Sequence, residues 1–80
     1  MQTNDPCHLF GLNLKKFREK NNLSQEKLAQ MANLDRTYIS SVERGKRNIS
    51  LINILKLAHA LNIDPCNLIN FQINNHSLEE

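Results

Sequence analysis

The stretch Arg36-Thr37-Tyr38-Ile39-Ser40-Ser41-Val42-Glu43-Arg44 gathers short hydrogen-bonding side chains in a pattern unlike an ordinary surface segment. Turned at about 100° per residue, it sets Ile39 and Val42 on one side, Tyr38 at the edge, and Thr37, Ser40, Ser41 and Arg44 on the other. A merely solvated helix face would favour Glu and Lys, which are better helix formers. Small hydroxyls instead allow a backbone to approach a second molecule closely, and Arg36 in the first turn has the reach and the forked donors to grip a base edge. This is recognition chemistry. Paired carboxylates, a nucleophile with its base and a metal-ligand cluster are all missing from the sequence, so no enzyme activity, cofactor, metal or small-molecule ligand is expected. His8, His59 and His76 are scattered, and Cys7 and Cys66 lie far apart without a CxxC, which makes them inert thiols.

The elements that must present this face are marked by the sequence itself. Leu23-Ser24-Leu28, Leu34-Asp35-Ile39, Ile49-Ser50-Ile54 and Ile63-Asp64-Leu68 repeat one arrangement, a Ser or Asp between apolar residues five positions apart. Each reads as a helix start, in which the side-chain oxygen accepts an orphan backbone N–H while the apolar pair fixes the entry angle. Asp5-Pro6 starts a first helix that runs to about Asn21, with Phe10, Leu14 and Phe17 as its buried stripe. The second helix, about Gln25 to Ala32, is expected to bury Leu28, Met31 and Ala32; Asn22 and Asn33 suit left-handed positions in the turns. Arg36 to Arg44 is the third helix, with Gly45 as its stop. The first two of the four starts are only eleven residues apart, the spacing of a helix-turn-helix, which points to DNA.

A fourth helix, Leu51 to about Leu61, has a core stripe of Leu51, Ile54, Leu57, Ala58 and Leu61, with Ile52 and Leu55 off that stripe. Asp64-Pro65 starts a short fifth helix to about Asn70, with Leu68 inward and Ile69, Phe71 and Ile73 as surplus apolar groups. Eighty residues form one small domain, assigned to residues 6–73 with flexible termini at 1–5 and 74–80. So small a core is marginal alone, and a homodimer through Ile52, Leu55, Ile69 and Phe71 is the simplest support. No apolar run reaches the roughly 18 residues of a membrane span, and Met1 to Asp5 lacks a signal-peptide pattern, so the chain is expected to be cytosolic.

Net charge is +2, but its distribution is uneven. From Lys15 to Arg47 the chain carries nine bases against four acids, and the remainder has Lys56 against Asp5, Asp64, Glu79 and Glu80. A basic half of +5 beside an acidic half of −3 suits a protein that touches phosphate on one side only.

Leu23-Ser24-Gln25 with Leu28-Ala29, Leu34-Asp35-Arg36-Thr37-Tyr38-Ile39-Ser40 and Glu43-Arg44-Gly45-Lys46-Arg47-Asn48 fall into register with the caps, turn and loop of a known family. Over roughly residues 9–70 the chain resembles the Cro/C1-type (XRE) helix-turn-helix regulators. The string LDRTYIS followed by ERGKRN most resembles the controller proteins of bacterial restriction-modification systems, small dimeric autoregulators; similar strings occur in phage, plasmid and chromosomal repressors. It departs from the commonest pattern at Asn33, where Gly is usual, and at Lys27, where Glu is usual, which removes the reciprocal half of a capping box.

The resemblance implies an all-α, five-helix, lambda-repressor-like fold and a homodimer on a pseudo-palindromic operator. Arg36, Thr37, Ser40 and Ser41 match positions that face bases in the major groove, with Arg36 the reader. Gln25, Arg44, Arg47 and Asn48 match phosphate-contacting positions; Tyr38 either packs or reaches a phosphate, and Lys46 reads as a phosphate-steering charge. Arg18 and Glu43 match an internal ion pair. Glu26 matches a position where some phage repressors present an acid to RNA polymerase, the plainer reading being a first-turn carboxylate that complements the helix dipole. The rival class is a protein-binding module such as an antitoxin or adaptor, which calls for a long apolar extension where only residues 71–80 remain.

Overall fold

Helix boundaries follow from capping chemistry. In a computed structural model of the chain, the structure describes residues 5–72, and these form five α-helices and no strand: α1 Pro6–Lys20, α2 Gln25–Ala32, α3 Arg36–Glu43, α4 Leu51–Leu61 and α5 Pro65–Leu68. Ser24 Oγ accepts from the Lys27 N–H at 3.0 Å, Ser50 Oγ from the Asn53 N–H at 3.1 Å, and the Asp5 and Asp64 carboxylates from the N–H two residues on at 3.0 Å. Asp35 departs from this expectation. Its backbone has N-cap geometry (φ −81°, ψ 140°) yet its carboxylate makes no cap hydrogen bond, leaving the first-turn N–H groups of α3 to solvent.

Helix ends are as regular as the starts. Asn22, Asn33 and Asn62 all lie in the left-handed region, at φ 57–58°, where a short polar side chain is tolerated. The residue after each donates its N–H five positions back, Leu23 to Arg18 O, Leu34 to Ala29 O and Ile63 to Ala58 O, which closes the helix end in a Schellman-type turn. One tripeptide, Asn, an apolar residue, then Ser or Asp, thus stops one helix and starts the next three times over. After α3 the left-handed position belongs to Gly45 (φ 75°), whose missing Cβ would stand 2.9 Å from His8 Cα.

The core draws Phe10 and Leu14 from α1, Leu28, Ala29 and Ala32 from α2, Ile39 and Val42 from α3, Leu57, Ala58 and Leu61 from α4, and Leu68 from α5. Packing corrects three sequence expectations. Met31 is 45% exposed, and Ala29 is buried in its place, because α3 and α4 cover the side of α2 centred between Leu28 and Ala29, where a small residue permits close approach. Leu51 is 69% exposed: it is the first residue of α4, and a helical Cβ leans toward the N-terminus, here past the edge of the core. Helix α5 ends at Leu68 rather than near Asn70: the Ile69 N–H bonds only three residues back, to Cys66 O at 3.2 Å, and the buried Asn13 amide of α1 donates to Asn67 O and Leu68 O at 2.9 and 2.8 Å, which fastens this end to α1. Phe17 is half-buried at the margin. No helix among the described residues is long and apolar enough to cross a membrane. Ile73 and His76 lie outside the described residues, as do residues 1–4 and 74–80 of the termini expected to be flexible.

Candidate nucleic-acid interface

The turn Asn33-Leu34-Asp35 reverses the chain between α2 and α3, and Ile39 and Val42 then pin α3 to the core by one side. That anchoring decides what the other side presents. Arg36, Thr37 and Arg44 are exposed and Ser40 and Ser41 half-buried. Arg44 folds back along its own helix, its Nε donating to Ser40 O at 3.3 Å. Lys46, Arg47 and Asn48 follow in an exposed loop, so the basic segment continues the hydroxyl face.

What orients α3 is a buried charge cluster at its end. Arg18 Nε donates to Glu43 Oε2 at 2.6 Å and Nη2 to Oε1 at 3.1 Å, the bidentate fork that suits a carboxylate. Arg18 Nη1 donates to Leu23 O at 2.7 Å, and Gln25 Nε2 donates to Glu43 Oε1 at 3.0 Å. The Glu43 hydrogen bond, chiefly, and the Glu43 and Glu19 charges raise the Arg18 pKa above its usual value against the opposing effect of burial. One carboxylate at the last residue of α3 therefore ties α3 to α1 and to the start of α2, and Arg18 carries the link on to the turn between them. Gln25, at the first position of α2, spends one amide hydrogen on Glu43 and has a second left to donate.

Tyr38 and Arg47, nine residues apart in the chain, meet: the guanidinium carbon lies 5.1 Å from the ring centroid, within cation–π range. Together with Thr37 they line an open cleft of about 500 Å³ at the first turn of α3. Of the apolar residues expected to pair protomers, Ile52, Leu55 and Ile69 are exposed, as is Leu51, while Phe71 is half-buried and packs on the core.

Three residues not singled out from sequence prove to fix how the helices sit on one another. Gly11 lies where α1 crosses the end of α3; a Cβ there would overlap Val42 O and stand 2.7 Å from Glu43 O. An isolated Gly inside an amphipathic helix is the signal for such an approach. Asn13 carried a weaker one, a polar residue on the apolar stripe. Asn53, whose Nδ2 donates to Tyr38 Oη at 3.0 Å, carried none, because its partner is fifteen residues away.

A face of hydroxyls and arginine on the second helix of a helix-turn-helix, beside a basic loop, defines a DNA-binding regulator. The chain belongs to the HTH_3 helix-turn-helix family, whose model matches residues 14–68. It is 50% identical over 70 residues to control protein C.BamHI of Bacillus amyloliquefaciens, covering 86% of each chain. The fold is similar to that of the restriction-modification controller protein C.AhdI from Aeromonas hydrophila (TM-score 0.77, 53% identity, 78% of this chain and 94% of that one). It is also similar to SinR, a master regulator for biofilm formation, in complex with DNA (TM-score 0.73, 27% identity, 76% of this chain and 98% of that one).

Proposed function

We propose that this chain is the controller of a bacterial restriction-modification system, acting in the cytoplasm by binding, without chemistry. Residues 6–73 form its one domain. Two protomers pair through Ile52, Leu55, Ile69 and Phe71, extended by Leu51. The twofold axis sets two copies of α3 about one DNA turn, near 34 Å, apart in successive major grooves of a pseudo-palindrome. Arg36 grips a guanine, with Thr37, Ser40 and Ser41 beside it on the bases. Arg44, Lys46, Arg47 and Asn48 engage phosphates, joined by the Tyr38 hydroxyl and by the free amide hydrogen of Gln25 at the N-terminus of α2.

The observation that carries this reading is the division of α3: Ile39 and Val42 buried, Arg36 and Thr37 exposed beside a basic loop. Selection of bound duplexes from a random pool tests it. A symmetric motif is expected, and its two half-sites should be centred one helical turn apart. On that duplex, affinity should fall linearly in log–log salt with a slope near −5, from about six cationic phosphate contacts per dimer. Arg36→Ala should cost about 1–3 kcal/mol on the selected duplex per half-site and little on a scrambled one. Recovery of no motif, or a salt-independent affinity, would sink the reading.

A further inference from the structure

Tyr38 stands where α3, the basic loop and α4 meet. Its hydroxyl oxygen accepts from Asn53 Nδ2 at 3.0 Å, and its ring lies under the Arg47 guanidinium at 5.1 Å. Asn53 is itself held: it is the third residue of α4, and its backbone N–H donates to Ser50 Oγ at 3.1 Å. Among the described residues, the Asn53–Tyr38 contact is the side-chain hydrogen bond that joins α3 to α4. All three side chains border the same open cleft beside the first turn of α3.

The direction of that hydrogen bond matters. An amide nitrogen only donates, so the phenol cannot return its hydrogen to Nδ2 and keeps it for another acceptor. Accepting one hydrogen bond also polarises the phenol as a donor. The ring, meanwhile, gives Arg47 a surface to rest on in an otherwise exposed loop.

We infer that Asn53 is a positioning residue for DNA recognition. Its amide fixes Tyr38 so that the phenol O–H is presented to one DNA phosphate while the ring carries Arg47 to a neighbouring one. The inference rests on the proposed binding of duplex DNA along α3, and Asn53 acts through Tyr38 rather than by touching DNA.

A double-mutant cycle tests it, with the duplex that the wild-type protein enriches from a random pool as the probe and fluorescence anisotropy as the measurement. Asn53→Ala should weaken binding about three- to tenfold per half-site, the range of one neutral hydrogen bond. In a Tyr38→Phe background the same change should cost less than about twofold, because the group it acts through is already gone. Asn53→Asp should be worse than Asn53→Ala, since a carboxylate accepts the phenol hydrogen, turns it away from DNA and adds a charge that repels phosphate. The log–log salt slope of Asn53→Ala should be shallower by about one per protomer as Arg47 loses its seat. A purely structural role would lower the active fraction and the melting temperature and leave that slope alone. An equal loss in both backgrounds, or wild-type affinity in Asn53→Ala, overturns the inference while DNA binding by the wild type stands. If the wild type enriches no duplex, the proposed function falls as well.

Discussion

Replacing Arg18 by Met isolates the interaction that orients α3. The substitution keeps much of the side chain's length and removes three donors: two to Glu43, at 2.6 and 3.1 Å, and one to Leu23 O at 2.7 Å. Glu43, with a side chain only 4% exposed, is left with Gln25 Nε2 as its single partner. Orphaning one member of a buried pair costs about 3–5 kcal/mol. An 80-residue domain has a total stability of about 4–12 kcal/mol, so the loss is a large share of it. In urea, followed by helical circular dichroism at one fixed protein concentration, the midpoint should fall by at least about 1.5 M for an m-value of about 1–2 kcal/mol per M. The companion variant carrying both Arg18→Met and Glu43→Leu should recover most of that loss, because two apolar groups of similar volume need no partners. A single variant that loses less than about 1 kcal/mol, or a double variant no more stable than the single, would refute the reasoning. Around neutral pH the arginine adds no slope to stability. Its folded pKa is raised above the ordinary value, so its contribution is complete below that value and fades only as pH climbs through the higher folded one.

Two further outcomes rest on backbone geometry and are read by the same unfolding assay. Gly11→Ala should destabilise by more than about 1 kcal/mol despite the better helix propensity of Ala, because the new Cβ meets the Val42 and Glu43 carbonyls, neither of which is a flexible side-chain end; a more stable variant would show that α1 can move off α3. Ser24→Ala and Ser50→Ala should each cost about 1 kcal/mol, and Asp35→Ala clearly less, since the two serines make cap hydrogen bonds and Asp35 makes none; equal costs would mean that Asp35 caps α3 in solution.

The sequence by itself determined the order, the starts and most of the ends of the helices. Those depend on contacts within one turn: a Ser Oγ that accepts three residues ahead, a proline at a first helical position, an asparagine at positive φ. It also determined which side of α3 turns outward, because Ile39 and Val42 leave only one face to bury. Local chemistry cannot rank apolar positions near the edge of the core, so Met31 and Leu51 fit the buried stripes by spacing and yet are exposed. Nor could it reveal contacts between residues distant in the chain. The attachment of the α5 end to α1 depends on an amide from Asn13, the close crossing of α1 and α3 on Gly11, and the seat of Tyr38 on Asn53, each set by the packing of whole helices rather than by neighbouring residues. Short-range hydrogen bonding is written into adjacent residues, whereas the relative placement of helices is fixed only when their surfaces meet.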